Sequence, residues 1–300
     1  MPTFRHLTST EQLTRDWVEK KLFPSAEKMS SRTNGEETLR RRALYCLFYE
    51  PSFVTRASFE RAIELLGGDS YHTEDASQFF PEKTPNYIEN IMSILASLRI
   101  DLVVLRSSDP TVMDRASSAN ALSIINGGSS NDHPTQAAAD IWTMKRELGG
   151  VDGATVVIIG RPEHRNVSAL LKGLTMFKDV NVVLVPFSGQ VDPVVASYCE
   201  SRGLKLTTTQ DIEAVRNADA IYLNGPRTVA HVQLLKARAS STLRIDAKFM
   251  GMLKQECIIL DPMQRSGDFT FETQDRRLAF YRQAENALYV RMSLLAEMLA

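Results

Sequence analysis

An excess of charge of one sign is missing from this 300-residue sequence: 35 Lys and Arg stand against 36 Asp and Glu, a net charge of -1. Without a broad basic surface there is no general attraction for nucleic acid or an anionic membrane. Neither is expected as a partner, and function is expected to reside in a local site. Cysteine is scarce as well. Cys46, Cys199 and Cys257 are odd in number, far apart and accompanied by no CxxC pair or Cys/His cluster, which argues against a disulfide framework or a zinc site and fits packing thiols of a reducing compartment. No run approaches the ~18 apolar residues of a membrane span, and the N-terminal MPTFRHLTSTEQ has no apolar leader-like stretch. The expected location is cytoplasmic. Internal repeats and low-complexity segments are lacking too.

What is present is an α/β rhythm. DLVVLR (101–106), TVVIIG (155–160), NVVLVPF (181–187), AIYL (220–223) and CIILD (257–261) are short apolar runs with helical stretches between them. Continuous rather than alternating apolar character predicts parallel strands covered on both faces, as βαβ units require. With 43% hydrophobic residues the chain can fill two modest cores. The fold class expected is therefore α/β, with two doubly wound parallel-sheet domains. NDHPTQAAADIWTMKREL (131–148) reads as one helix between them, stopped by the glycines of ELGGVDGA, and NALYVRMSLLAEMLA reads as a closing helix.

Three stretches carry candidate chemistry. FYEPSFVTRASFERAIELLGG (48–68) predicts a strand end, a turn at Pro51-Ser52 and an amphipathic helix stopped by Gly67-Gly68. Ser52 stands at the N-cap position of that helix. Free N–H groups and the positive dipole end make such a start a natural holder of phosphate or carboxylate. Yet Phe53 and Val54 fill the first turn with apolar side chains. Arg106 closes DLVVL at the carboxyl end of a strand, where ligands of doubly wound sheets sit; it is either paired with a carboxylate or aimed at an anion. His133 and Gln136, three apart at a helix start, share one side of the first turn. They can polarise a carbonyl and accept an amide hydrogen, or the His can be a solvated cap neighbour. GRPEHRN after TVVIIG lacks the second and third glycines of the dinucleotide fingerprint, which leaves a nicotinamide cofactor poorly supported.

These stretches resemble a known family. FYEPSFVTRASFERAIELLGG is similar to the FxEPSTRTRxSFExAxxxLGG segment of the aspartate/ornithine carbamoyltransferases, and INGGSSNDHPTQAAADIWTM to their INxGxxxxxHPTQxLxDxxT segment. YRQAENALYVRMSLLA resembles their closing FRQAENGxxVRMALL, which favours the aspartate branch. The resemblance implies a carbamoyltransferase fold with residues 1–132 plus 286–300 binding carbamoyl phosphate, an interdomain helix at 133–149 and an amino-acid-binding domain at 150–285. It implies a homotrimer with active sites shared between chains, small-molecule substrates, and no cofactor or metal. In the family an amine attacks the carbamoyl carbon and phosphate leaves, so catalysis is positioning and charge stabilisation.

Position by position, the resemblance makes Ser52 and Thr55 phosphate-holding hydroxyls. Arg106 becomes the strand-end arginine, His133 the carbonyl-polarising group and Gln136 the amide partner. Met263, in DPMQR, falls where the backbone meets the carbamoyl group. Lys83, in KTPNYIENI, falls on a loop that serves the neighbouring subunit, and Arg165, in RNVSALLKGL, is a carboxylate-binding arginine on the acceptor side.

The departures point elsewhere. The family's Ser-Thr-Arg-Thr-Arg is Ser52-Phe53-Val54-Thr55-Arg56, and its HPLPR is DPMQR. In YLNGPRT, Gly225 takes the place of a second acceptor-binding arginine and Arg227 stands two positions on. Losing one preorganised charged donor costs on the order of 10²–10³ in rate. The expectation is a carbamoyltransferase-family transferase with a rewritten site, acting on an amino-acid-like carboxylate other than aspartate, or on aspartate much less well, with Arg227 as a replacement anchor. The alternative is a noncatalytic protein that keeps the scaffold as a partner subunit.

Overall fold

The apolar runs become strands because Val, Ile and Leu dominate them and nearly all of their central residues are buried. In the computed structural model, residues 4–31, 37–73, 75–78, 84–187, 189–225, 243–262, 269–271 and 274–299 are described. The chain divides into two compact units, Met1–Ala139 with Glu285–Ala300, and Asp140–Ala284.

The first unit is built on a five-stranded parallel sheet. Its strands are β1 (His6–Leu7), β2 (Ala43–Phe48), β3 (Asp69–Thr73), β4 (Leu102–Arg106) and β5 (Ser123–Asn126), in the order β1-β5-β4-β2-β3. Its helices begin with α1 (Arg15–Trp17), which passes through a π-helical stretch, Val18–Leu22, into α2 (Phe23–Ser30). Then come α3 (Phe53–Leu65), α4 (Tyr87–Ser97) and α5 (Val112–Ser118). Leu47, Val103, Leu105 and Ile124 of the sheet pack on Ile88, Met92 and Leu95 of α4 and on Val112 and Ala116 of α5. From β2 the chain goes to β3 on one side, whereas β4 pairs with β2 on the other. The strand order therefore reverses between β2 and β4, and a crevice forms at the carboxyl ends of such a pair. Phe48 and Arg106 are register partners there, and Tyr49 N donates to Arg106 O at 2.8 Å.

The second unit repeats the plan. Helix α6 (Pro134–Leu148) leads to β6 (Thr155–Gly160), α7 (Arg165–Leu174), β7 (Asn181–Pro186), α8 (Pro193–Ser201), β8 (Lys205–Thr208), β9 (Ala220–Asn224), β10 (Leu243–Ile245), α9 (Ala247–Met252), β11 (Ile258–Leu260) and β12 (Phe269–Phe271). The parallel sheet runs β11-β9-β6-β7-β8, with β10 and β12 as a separate parallel pair. Val157, Ile159, Ile221, Leu223 and Ile259 form its core with Ile245, Phe249 and Met250. The order reverses between β6 and β9. Gly160 (φ +124°) closes that junction so tightly that a Cβ on it would stand 2.2 Å from the Asn224 carbonyl oxygen, which accepts Arg161 N at 2.9 Å.

Helix α10 (Phe280–Leu299) ends the chain. Its RQAEN segment works structurally. Gln283 Nε2 donates to Asp140 Oδ1 at 2.7 Å, Gln283 Oε1 accepts Asp261 N at 2.9 Å, and Tyr222 OH donates to Asp140 Oδ2 at 2.9 Å. Arg282 grips Glu147 with two bonds, at 2.6 and 3.0 Å. Among the described residues no helix is long and apolar enough to cross a membrane.

Candidate active site

The first unit places its polar candidates at the β2/β4 reversal. Helix α3 starts after Ser52, whose backbone is extended (φ -153°, ψ 97°) as an N-cap requires, but whose side chain makes no capping hydrogen bond. The first turn carries Phe53, 76% exposed, the half-buried Val54, and Thr55, which is buried. Thr55 Oγ1 lies 3.4 Å from His133 Nε2, and Thr135 Oγ1 lies 3.5 Å from His133 Nδ1, so the imidazole stands between two hydroxyls. Arg56 turns toward its own helix, its Nε 4.0 Å from Glu60 Oε1, an oxygen that His72 Nδ1 also approaches at 2.7 Å.

Arg106 and His133 border the same glycine. Arg106 Nη1 donates to Gly127 O at 3.0 Å, and a Cβ added to Gly128 would stand 2.5 Å from that nitrogen and 3.5 Å from His133 Cδ2. The second glycine of INGGSS is thus the space the guanidinium occupies. Asn126 holds the loop, accepting Gly128 N at 2.8 Å and donating to Thr8 O at 2.7 Å. Asp132 anchors the histidine: it accepts His133 N at 2.7 Å and also Thr10 N and Ser9 Oγ, each at 3.0 Å. Gln136 is buried in the first turn of α6, with its N bonded to His133 O at 3.0 Å.

In the second unit the start of α7 stands beyond β6. His164 is its N-cap: Nδ1 accepts Asn166 N at 3.2 Å, which places the ring proton of the neutral form on Nε2. Arg165 is the first helical residue and is 2% exposed. Asn224, at the end of β9, donates Nδ2 to Arg161 O at 3.1 Å, completing a reciprocal pair of bonds with that residue.

The structure therefore brings Thr55, Arg106 and His133 together, with Gln136 close in sequence to His133, and places Arg165 at a helix start beside a second strand reversal. Lys83, Met263 and Arg227 lie outside the described residues. Sequence reasoning missed Asp132, Thr135 and Asn224. An Asp directly before His-Pro at a helix start is a capping signal that would have found the first.

Residues 5–146 match the family model described as aspartate/ornithine carbamoyltransferase, carbamoyl-P binding domain, and residues 152–298 match its Asp/Orn binding domain. The chain belongs to the aspartate/ornithine carbamoyltransferase family. It is 30% identical over 277 residues to a chloroplastic aspartate carbamoyltransferase of Arabidopsis thaliana, a match covering 90% of this chain and 70% of that one. It is 29% identical over 311 residues to the multifunctional protein CAD of Squalus acanthias, covering 98% of this chain and 13% of that much longer one. Aspartate transcarbamoylase of Trypanosoma cruzi in complex with carbamoyl phosphate and aspartate superposes with a TM-score of 0.86 at 28% identity, covering 98% of this chain and 97% of that one. The two parallel sheets with flanking helices are thus the carbamoyltransferase fold, as the strand rhythm and motifs led one to expect.

Proposed function

We propose that the chain is a carbamoyltransferase-family transferase whose anion site, at the start of α3, works with Val54 where the family motif has an arginine, and whose acceptor is an amino-acid-like carboxylate used in preference to aspartate. The observation that carries this reading is the grouping of Thr55 and His133, both buried, with the half-buried Arg106 around Gly128.

In this reading the first-turn N–H groups of α3 and the hydroxyls of Ser52 and Thr55 hold the phosphate side of carbamoyl phosphate or a related anion. Arg106 joins them at the phosphate and, with His133, faces the developing charge on the carbonyl oxygen, and Gln136 and the backbone near Met263 meet the carbamoyl nitrogen. Arg165 and Arg227 take acceptor carboxylates. Residues 1–132 with 286–300 serve the donor, 150–285 the acceptor, and 133–149 connect them. Assembly is a cytoplasmic homotrimer in which Lys83 serves a neighbouring chain. The relatives named above support the substrate class, because the Trypanosoma cruzi protein carries carbamoyl phosphate and aspartate.

Calorimetry with carbamoyl phosphate, phosphate, aspartate and a panel of amino acids and dicarboxylates tests this, alongside an assay for carbamoylated product. Binding of an anion and of a carboxylate other than aspartate is expected, with little carbamoyl aspartate formed. Turnover of aspartate in the usual enzymatic range of ~1–10³ per second would refute the altered specificity. Restoring Phe53→Thr with Val54→Arg should raise residual activity.

One observation favours a second reading, a noncatalytic partner subunit: an exposed phenylalanine and a valine occupy the turn that should meet a doubly charged phosphate. Failure of every anion and amino acid to bind would decide for it.

A further inference from the structure

Arg291 reaches the start of α3 through one intermediary. It lies on α10, is fully buried, and packs its guanidinium 5.1 Å from the centre of the Phe59 ring. Its Nη1 donates to Ser58 Oγ, a contact across 233 positions of sequence. Ser58 has a single hydroxyl proton, and the carbonyls within its reach are Val54 O at 2.5 Å and Thr55 O at 2.9 Å. With the arginine donating to it, the hydroxyl must turn its own proton toward those carbonyls. Both belong to the first turn of the helix. Thr55, the second of them, is the residue whose own hydroxyl faces His133 Nε2.

A serine inside a helix that bonds back to the preceding turn is common and weak, and often bends the helix locally. Two features set Ser58 apart. A buried cation from the last helix of the chain pins it from outside, and the turn it holds is the one that presents Ser52, Thr55 and the free N–H groups. Charge-assisted bonds are shorter and about twice as strong as neutral ones, so the arginine strongly restricts the serine rotamer.

We propose that Arg291 is a positioning residue for the anion site: acting through Ser58, it sets the orientation of the first turn of α3 and with it the aim of Thr55 and the helix N–H groups. This rests on the reading of that helix start as the anion site.

The test uses the full chain, with inorganic phosphate as probe in calorimetry and the ring resonances of His133 as a ligand-free readout. Ser58→Ala removes the relay alone. It is expected to weaken phosphate binding about tenfold, the worth of one well-placed hydrogen bond, while the unfolding temperature moves by only a few degrees. Arg291→Lys keeps the charge but loses the fork, and should weaken binding similarly. The double variant should be no worse than the weaker single one, because both act along one path, and Ser58→Thr should restore affinity. Lowered unfolding temperature with phosphate affinity within twofold of the parent, or effects that multiply in the double variant, would overturn the proposal. If the parent binds no phosphate at all, the anion-site reading fails. The positioning claim is then decided by His133, whose resonances should shift in Ser58→Ala; unchanged resonances would sink it.

Discussion

Arg106 and Gly128 compete for one volume: the guanidinium lies where the glycine's side chain would be, 2.5 Å from an added Cβ, on a backbone with φ +118° that L side chains rarely adopt. Gly128→Ala must therefore expel the arginine or reshape the loop. It should lower stability by about 1–3 kcal/mol, the usual scale of such strain, and abolish measurable phosphate binding. Calorimetry beside a urea titration checks both. Retained binding would mean that Arg106 does not face the anion.

Asp132 is a second hinge of the site. Its carboxylate receives His133 N together with Ser9 Oγ and Thr10 N, which ties the N-terminal segment to the histidine. Asp132→Ala leaves buried donors without partners, so a loss of about 2–4 kcal/mol is expected from several bonds to a charged acceptor. A denaturant midpoint unchanged from the parent would contradict this.

Asp140 depends on Tyr222 and Gln283 for its two oxygens. Burial, followed by the charge of Asp140, raises the Tyr222 phenol well above its ordinary range, so it remains a donor at any working pH. Tyr222→Phe removes one donor from a buried carboxylate and should destabilise by roughly 1–3 kcal/mol. Thermal unfolding reads the effect directly.

Acid stability should carry a mark from Asp275. Hydrogen bonds from Arg277 hold its carboxyl down to about 2, below its ordinary 3.8. A depressed carboxyl stabilises the folded state above the unfolded value and loses that contribution as pH falls from about 4 to 2. The pair is partly exposed, so the effect is on the order of 1 kcal/mol. Asp275→Asn should lower stability at neutral pH and flatten its decline across that window. Parallel parent and variant curves would argue against the coupling.

The three thiols should be silent in the native state. Burial pushes Cys199 up to about 11 and Cys257 to about 12, and raises Cys46 as well. The thiolate is the reactive form, so a chromogenic disulfide reagent at pH 8 should find almost none until denaturant is added, and then three.

The grouping of candidate residues was in part legible locally. Ser52, Thr55, Arg106, His133 and Gln136 sit in short motifs whose spacing decides their position on a helix start or strand end, and the long apolar strands announced themselves by composition. Edge strands did not. β3 (DSYHT) and β8 (KLTT) are largely exposed, so no apolar run marks them, and only pairing with β2 and β7 makes them strands. The partners were equally hidden, because Asp132 meets Ser9 across 123 positions and Gln283 meets Asp140 across 143.

From the amino-acid sequence alone came the family, the parallel α/β class and the apolar pair Phe53-Val54 after Ser52, all properties of residues adjacent in the chain. The tertiary structure alone decided that Gly128 makes room for Arg106, that Gln283 bonds Asp140 and the Asp261 N–H, and that Arg291 holds Ser58. The physical reason is that spacing along a chain determines which face a side chain takes, whereas which buried donor finds which acceptor depends on elements brought together from distant sequence.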